Sequence, residues 1–263
     1  MLDTRGYDRS ITTLDWNAGY IDSIMNDASR SLMGSRQENW FYRQLKESSS
    51  RGAFWRLVGT QVLIAHLVQP EEAGGADPMG VDMWDGYRAN RNRTLNALYE
   101  NQIGDNIFLA GDSHSSWVSD VKWEGEKEYD PKTGKGAIGV EFGGTAVSSP
   151  GMDGSKKELI ETAEQYVDAN DGLQWSEFYY RGYMEVRVKT DRVDTEYFGI
   201  PDVMEHNGLE FSLANFTVEH GSNSIKRPIA GGEIAAGSAQ DGKRKPSNLA
   251  YDTDKGKYVK LDS

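Results

Sequence analysis

Cysteine is absent from this chain of 263 residues. Its absence excludes disulfide bonds, zinc–thiolate sites and thiol catalysis within the sequence. Basic residues are also scarce: 29 Lys and Arg stand against 41 Asp and Glu, and the formal net charge is −12. We therefore predict no nucleic-acid-binding surface, because such surfaces depend on clustered cations. An anionic substrate remains compatible with this balance, since bound metal ions invert the local field of a site.

Long apolar runs are missing as well. No stretch approaches the length of a membrane span, and the opening MLDTRGYDRS is too polar for a signal peptide. A secreted or membrane-associated parent protein stays compatible with the sequence, which leaves compartment and oligomeric state open. Aromatic residues make up 11 % of the chain. So many aromatic side chains need a core or a binding surface to cover them, and a chain of this length can bury a sizeable core.

Helical and strand patterns alternate along the chain, which predicts a layered α/β fold. The predicted helices are 35–48, where Ser35 and Glu38 form a capping-box pattern, then 86–101, and then 156–170 behind Ser155. The predicted strands are 54–68 (two short strands or one bent strand), 106–111, 117–124, 137–151 and a hairpin formed by 178–190 and 192–200. A turn-rich stretch at 124–136 indicates a further hairpin, and 71–80 is predicted to be a loop. From Gly221 onward few apolar residues occur, and we expect a loose tail with one docked strand near 248–253.

The segment NIFLAGDSHSSWVSDV (106–121) joins a short buried strand to polar residues that folding does not require. In layered α/β proteins ligand sites lie beyond the carboxyl ends of strands, which is where Asp112 and His114 fall. A carboxylate and an imidazole held close together can share a metal ion or act as an acid/base pair. The alternative is structural: Asp112 caps local amides and His114 packs against Trp117. A serine nucleophile is disfavoured, because no Gly-x-Ser-x-Gly elbow is present.

The longer pattern LAGDSHSSWVSDV resembles the Gly-Asp-x-His-Ser-Ser-Trp signature of the PhoD-like alkaline phosphatase D family. Further segments agree with that family in the same order, so the resemblance covers about residues 1–200. They are MLDTRGYDR (1–9), SLMGSRQENWFYRQLKES (31–48), WRLVGTQV (55–62), MWDGYRANRNRTL (83–95), GVEFGGTAVSSPGM (139–152) and RGYMEVRV (181–188). A weaker likeness links the C-terminal stretch 229–258 to extensions in fungal members.

The resemblance implies a fold like that of calcineurin-like phosphatases, with two mixed sheets flanked by helices. It also implies hydrolysis of phosphomonoesters and phosphodiesters with an iron and calcium ions, and no other cofactor. Asp112 and His114 then become the catalytic residues and metal ligands. Asp85 of WDGY is a third candidate ligand, with an N-cap of helix 86–101 as its alternative. Arg5 of LDTR either contacts phosphate or pairs with Asp3, and we favour the pairing.

In this family the LDTR strand falls near the middle of the polypeptide, and the first half carries a cysteine iron ligand and most other ligands. We therefore expect 1–205 to be the C-terminal half of the phosphatase domain, an incomplete sandwich, and 206–263 to be a partly disordered C-terminal extension. The predicted function is metal-dependent phosphomonoesterase or phosphodiesterase, acting on small phosphate esters through a metal-activated water, with the isolated chain inactive. The alternative is a non-catalytic, truncated remnant that binds a partner or a cation. Truncated gene model, fragment and half of a split protein all remain open.

Overall fold

A computed structural model describes residues 1–14, 16–70 and 80–261. The loop predicted at 71–80 lies outside these residues, apart from its last position. The helices are α1 (Ala18–Ile24), α2 (Gly34–Ser50), α3 (Arg88–Glu100) and α4 (Lys156–Ala169), with short 3₁₀ helices at Trp84–Tyr87 and Ile229–Gly232. The strands are β1 (Arg56–Gly59), β2 (Asn106–Ala110), β3 (Ser116–Val121), β4 (Gly139–Gly143), β5 (Leu173–Glu177), β6 (Arg181–Val188), β7 (Arg192–Ile200), β8 (Phe211–Glu219), β9 (Glu233–Ile234), β10 (Ser238–Ala239), β11 (Lys243–Arg244), β12 (Leu249–Asp252) and β13 (Lys257–Lys260).

A six-stranded mixed sheet forms the centre of the fold, in the order β1-β2-β4-β3-β5-β10. Strands β1, β2 and β4 run parallel, whereas β3 is antiparallel to both β4 and β5. The hairpin predicted across 124–136 is therefore confirmed as the β3–β4 connection. The parallel pairing brings the carboxyl ends of β1, β2 and β4 to one edge of the sheet, where the loop carrying Asp112 and His114 begins.

A second, three-stranded antiparallel sheet (β6-β7-β8) packs on one face of the six-stranded sheet. The alternation along β2 shows the layering: Ile107 faces this second sheet, whereas Phe108 and Ala110 face the helices on the other side. The hydroxyl of Tyr197 on β7 donates across the interface to the carbonyls of Trp117 and Gly143, both at 3.1 Å. The layered α/β class is confirmed, and the β6–β7 hairpin has the predicted pairing.

Helices α2, α3 and α4 cover the other face of the six-stranded sheet. Helix α4 begins as predicted, because Ser155 accepts the Glu158 amide while the Glu158 carboxylate accepts the Ser155 amide. The capping box at Ser35 is wrong. The chain enters α2 through Gly34, whose φ of +69° favours glycine, so Ser35 already lies inside the helix. The Glu38 carboxylate instead binds Arg93, with the guanidinium Nε 2.6 Å from Oε1.

Two predicted strands are shorter than expected. In 54–68 only β1 is a strand, although Val62, Leu63 and Ile64 beyond it are buried. The amides of Ile64 and Ala65 donate to the carboxylate of Glu141 instead of to a neighbouring strand. In 137–151 the strand is confined to β4. Apolar composition thus predicted a buried stretch within each segment, but not the exposure of Phe54 (53 %) and Val147 (70 %) nor the partners of the backbone groups.

The loose tail expected from Gly221 onward is wrong for residues 225–239. Ile225, Ile229 and Ile234 are at most 1 % exposed and join the core between the two sheets, while β10 pairs with β5. The strand expected near 248–253 is present as β12, and it pairs with β13. The division of the chain at 205/206 and the partial disorder of the extension stay predictions. Within the described residues, no helix combines the length and apolarity that crossing a bilayer requires.

Candidate functional site

The loop that follows β2 holds two residues in an uncommon backbone conformation. Asp112 has a φ of +68° and His114 a φ of +57°, in the left-handed region that favours glycine. Local bonds fix this shape: the Ser113 amide donates to the Gly111 carbonyl at 2.7 Å, and the Trp117 indole donates to Ser113 Oγ at 2.8 Å. Strain of this kind costs about 1–3 kcal/mol per residue and clusters at functional sites. Four other described non-glycine residues also have a positive φ, so what distinguishes this loop as the candidate site is its position at the carboxyl end of β2.

The His114 ring is oriented by the segment that follows β4. Its Nδ1 lies 2.6 Å from the carbonyl oxygen of Pro150, and its own carbonyl accepts the Thr145 hydroxyl at 3.0 Å. Because a carbonyl only accepts hydrogen bonds, Nδ1 carries the proton, and Nε2 of the neutral ring holds the lone pair. Metal-binding histidines commonly have this arrangement. The Trp117 ring packs against Tyr166 and Phe178, and the alternative in which His114 packs against Trp117 stays a prediction.

The carboxylate of Asp112 binds the guanidinium of Arg5. Arg5 Nε lies 3.2 Å from Oδ1, and the other carboxylate oxygen contacts NH2, so the pair is bidentate. The NH1 group of Arg5 binds Asp82, which also binds Arg9. The favoured pairing of the Arg5 side chain with Asp3 is therefore wrong. Asp3 Oδ1 instead accepts the backbone amides of Arg5 (3.1 Å) and Gly6 (2.8 Å).

Asp85 lies in a buried ion pair on the 3₁₀ helix that precedes α3. Its Oδ1 binds Arg91 and lies 2.9 Å from His66 Nδ1, while Oδ2 accepts the Leu67 amide at 3.4 Å. Burial alone would raise the pKa of Asp85, but the Arg91 charge and the His66 hydrogen bond outweigh it, and the pKa is lowered. The N-cap alternative is wrong, because Tyr87 occupies the N-cap position of α3. A metal-ligand role for Asp85 stays a prediction.

The donor chemistry of the loop fits part of a metal site. His114 Nε2 is a suitable nitrogen donor, and the Asp112 carboxylate is a suitable oxygen donor for a hard cation. Across residues 1–14, 16–70 and 80–261, no three His, Asp or Glu side chains come close enough together to hold an ion. Within the described residues, a metal ion at this loop would therefore have at most two protein ligands, Asp112 and His114.

The serines beside His114 do not offer a nucleophile. Ser115 is 0 % exposed and Ser116 is 1 % exposed, so neither hydroxyl reaches solvent at the loop surface. The sequence analysis missed the contact between Arg5 and Asp112. Arg5 was noticed only because it belongs to the LDTR segment. Nothing in the sequence indicated that Arg5 lies beside Asp112, which is 107 residues farther along the chain.

Glu141 on β4 is another buried carboxyl, 1 % exposed, whose charge interacts with that of Asp85, and the sequence analysis also missed it. Its oxygens accept the Ile64 and Ala65 amides at 2.8 and 2.9 Å. Burial raises the pKa of Glu141 to about 7, although these two amides act in the opposite direction. The folded protein therefore keeps a proton on Glu141 at a pH where an unfolded glutamate has lost it.

This proton makes the free energy of unfolding depend on pH. Since the folded pKa is above the unfolded one, stability should fall as pH rises from about 4.5 to 7 and level off above. The Glu141→Gln variant lacks this titration, so wild type should lose up to about 3 kcal/mol relative to it across that interval. Urea unfolding between pH 4.5 and 8 measures the difference, with the exposed Glu47→Gln as control. Parallel curves for wild type and Glu141→Gln would contradict the prediction.

Comparisons with known proteins bear on the family and the fold. The family model described as PhoD-like phosphatase matches residues 1–197. The curated protein alkaline phosphatase D of Bacillus subtilis (strain 168) is 28 % identical over 228 residues, which cover 86 % of this chain and 36 % of that protein. A solved structure titled "Structure of PhoD" superimposes with a TM-score of 0.68 at 24 % identity, covering 93 % of this chain and 43 % of that one. The chain thus spans well under half the length of both relatives.

Proposed function

The chain belongs to the PhoD-like phosphatase family, and we propose that it acts as a metal-dependent phosphomonoesterase or phosphodiesterase on small phosphate esters. The observation that carries the proposal is the His114 ring. Its Nδ1–H is held by the Pro150 carbonyl, so the Nε2 lone pair is left for a cation or a proton at the end of β2. The family's known use of iron and calcium is compatible with the nitrogen and oxygen donors of His114 and Asp112.

The roles proposed for this chain's residues follow from their contacts. His114 Nε2 and the Asp112 carboxylate would hold the metal, which when bound polarises the phosphoryl group and lowers the pKa of a water molecule. Without a metal ligated to Nε2, a protonated His114 can give its proton to the leaving oxygen. The guanidinium of Arg5 neutralises Asp112. Its Nε and both terminal nitrogens are engaged by Asp112 and Asp82, so it would contact phosphate oxygens only after release from one of these carboxylates. Asp85 is kept as a candidate ligand at a position apart from Asp112 and His114, because the described residues bring no three ligating side chains together.

We propose further that the isolated chain lacks the complete ligand set and is inactive alone. Two observations support this: the described residues bring together no three ligating side chains, and the chain spans 36 % of the Bacillus subtilis relative. In this proposal the described fold is the C-terminal half of the catalytic domain. A non-catalytic remnant that binds a cation or a partner is the competing function, and no observation in the described residues favours it.

An assay of the isolated chain and of a chimera tests the proposal. In the chimera, this chain replaces the segment that it matches in the Bacillus subtilis enzyme. With iron and calcium, we expect the isolated chain to hydrolyse p-nitrophenyl phosphate and its bis-ester no faster than buffer does. We expect the chimera to turn over at least one of the two esters.

Each contrary outcome has a distinct meaning. Turnover by the isolated chain would refute the proposed incompleteness while leaving the phosphatase proposal intact. A chimera that folds, as judged by circular dichroism and a cooperative melt, but hydrolyses neither ester would overturn the enzymatic proposal in favour of the non-catalytic one.

A further inference from the structure

Arg181, the first residue of β6, is a buried arginine whose hydrogen bonds join two separate backbone segments. It is 7 % exposed. Its NH2 donates to the Phe178 and Tyr179 carbonyls at 2.8 and 3.3 Å, and its NH1 donates to the Ser149 carbonyl at 3.3 Å. Within the described residues its Nε has no hydrogen-bond partner. Burying a guanidinium whose donors are only partly satisfied is costly, so stability alone does not explain an arginine at this position.

The first of the two segments is the tight turn that leads into β6. The carboxylate of Glu177, itself 1 % exposed, accepts the amides of Tyr179 and Tyr180 at 3.0 and 2.9 Å. These two bonds close the turn from inside the protein. The carbonyls that bind the NH2 group of Arg181 are therefore held in fixed positions, and the guanidinium has a firm support on this side.

The second segment, residues 144–151, follows β4 and contains no helix or strand. Residues 147–150 are exposed, so packing does little to fix them. The Gly182 amide donates to the Ala146 carbonyl at 3.1 Å, and Arg181 binds the Ser149 carbonyl three residues farther on. The start of β6 thus holds this exposed segment from below at two points.

A glycine makes room for the guanidinium beneath the segment. A Cβ added at Gly151 would lie 2.6 Å from Arg181 Cζ and closer still to both terminal nitrogens. Two carbon atoms ordinarily make contact at about 3.5–4.0 Å, so any side chain at this position would collide with the guanidinium. Gly151 does not have a positive φ. The position therefore requires glycine because of Arg181 and not because of its backbone conformation.

Pro150 lies between the two residues that Arg181 contacts, Ser149 and Gly151. Its carbonyl oxygen accepts the Nδ1–H of His114 at 2.6 Å. The His114 side chain is exposed, so the direction and the tautomer of its ring depend on this bond more than on packing. Because Arg181 holds the residues on both sides of Pro150, it also determines where the Pro150 carbonyl lies.

We propose that Arg181 is a positioning residue for His114. The guanidinium, packed against Gly151, keeps the Pro150 carbonyl in place, and that carbonyl keeps the proton of the neutral ring on Nδ1 and the lone pair on Nε2. An arginine suits this task because its planar fork reaches carbonyls of both segments, whereas a lysine is a single point charge. The catalytic value of this arrangement rests on the proposed phosphatase function, but the orientation of the ring does not.

Nitrogen NMR of the isolated chain tests the orientation without any assay of activity. At about pH 8.5 histidine side chains are ordinarily neutral, and their nitrogen chemical shifts distinguish Nδ1–H from Nε2–H. The chain has four histidines, and a His114→Gln variant assigns the His114 signals. We expect the Nδ1–H tautomer to predominate in the wild type. In Arg181→Met and in Gly151→Ala we expect Nε2–H, the form that a free histidine favours, to become the major one.

The variants are chosen to separate positioning from a general loss of structure. Methionine keeps an unbranched apolar stem while it removes the donors, and Gly151→Ala removes no group at all. The double variant should shift the tautomer no further than either single one, since both break the same contact. Arg181→Lys should retain more of the Nδ1–H form than Arg181→Met. The matched control is Arg187→Met on the same strand, where the side chain is 50 % exposed, and it should leave His114 unchanged.

Kinetics of the phosphatase chimera supply the second measurement. Arg181→Met should lower kcat by about tenfold or more, because small misplacements of a reacting group cost up to about 10²-fold in rate. The KM should stay within about threefold, since Arg181 does not itself contact the substrate in this proposal. Arg187→Met should change neither constant.

Unchanged His114 nitrogen shifts in either Arg181→Met or Gly151→Ala, with a native circular dichroism spectrum, would overturn the proposal and leave the phosphatase function standing. If Arg181→Met does not fold, Gly151→Ala decides the question alone. If the unsubstituted chimera is inactive, the proposed function fails, and the nitrogen shifts of the isolated chain still decide the role of Arg181.

Discussion

Replacement of His114 by alanine is expected to lower kcat of the phosphatase chimera by about 10²–10⁴-fold. A backbone hydrogen bond orients this imidazole: its Nδ1 lies 2.6 Å from the carbonyl oxygen of Pro150. Removal of the ring takes away a metal donor or a proton donor, whichever of the two roles it performs. Initial rates with the bis-ester and p-nitrophenyl phosphate measure the loss, and metal content by mass spectrometry separates the roles.

The matched control is His206→Ala. His206 is an exposed histidine in the connection between β7 and β8, with no part in the proposed site. It should leave kcat within a factor of about two, as expected for an ordinary surface substitution. A His114→Ala chimera that retains most of its activity and all of its metal would remove His114 from the proposed site. The loss of iron or calcium together with activity would identify the ring as a ligand.

The Asp85→Ala variant should reduce the free energy of unfolding by about 3–5 kcal/mol, because it leaves the Arg91 guanidinium buried without its carboxylate. Both side chains are 4 % exposed, so water cannot replace the lost partner. Urea unfolding of the isolated chain at pH 7 measures the effect. The exposed pair Arg43–Glu47, at 3.9 Å, offers the control: Glu47→Ala should change stability by less than about 1 kcal/mol.

A double variant separates the burial of charge from the loss of packing. Replacing Asp85 and Arg91 together by leucine removes both charges, and it should be less destabilising than Asp85→Ala alone. If the single and double variants were equally destabilised, packing rather than the unpaired charge would dominate. If Asp85→Ala left stability unchanged, the ion pair would contribute nothing to the free energy of unfolding.

Structural features that depend on residues close together in the chain could be predicted from the sequence. Helix α4 with its Ser155 capping box, the β6–β7 hairpin and the position of Asp112 and His114 after β2 all follow from local patterns. Periodicity and turn composition encode these features directly. The placement of the loop was therefore predictable, although its left-handed backbone was not.

The contacts that the sequence did not predict join distant segments. Arg5 binds Asp112 across 107 positions, and Glu141 binds the Ile64 amide across 77. Sequence spacing contains no information about such pairs, since parallel strands bring their ends together only after the sheet forms. The burial of Ile225 and Ile229 was missed for a related reason: a few apolar residues in a polar stretch suffice when a neighbouring sheet already offers a face.

The hydroxyl of Tyr197 has a consequence for hydrogen exchange. It binds the backbone at Trp117 and at Gly143, which are the strand residues next to the two segments that orient His114. Tyr197 belongs to the three-stranded sheet and is 1 % exposed. Both bonds hold strand residues against the three-stranded sheet, so the amides of Trp117 and Gly143 should exchange with solvent as slowly as the core does. Asp112 and His114 are exposed, and their amides should exchange faster.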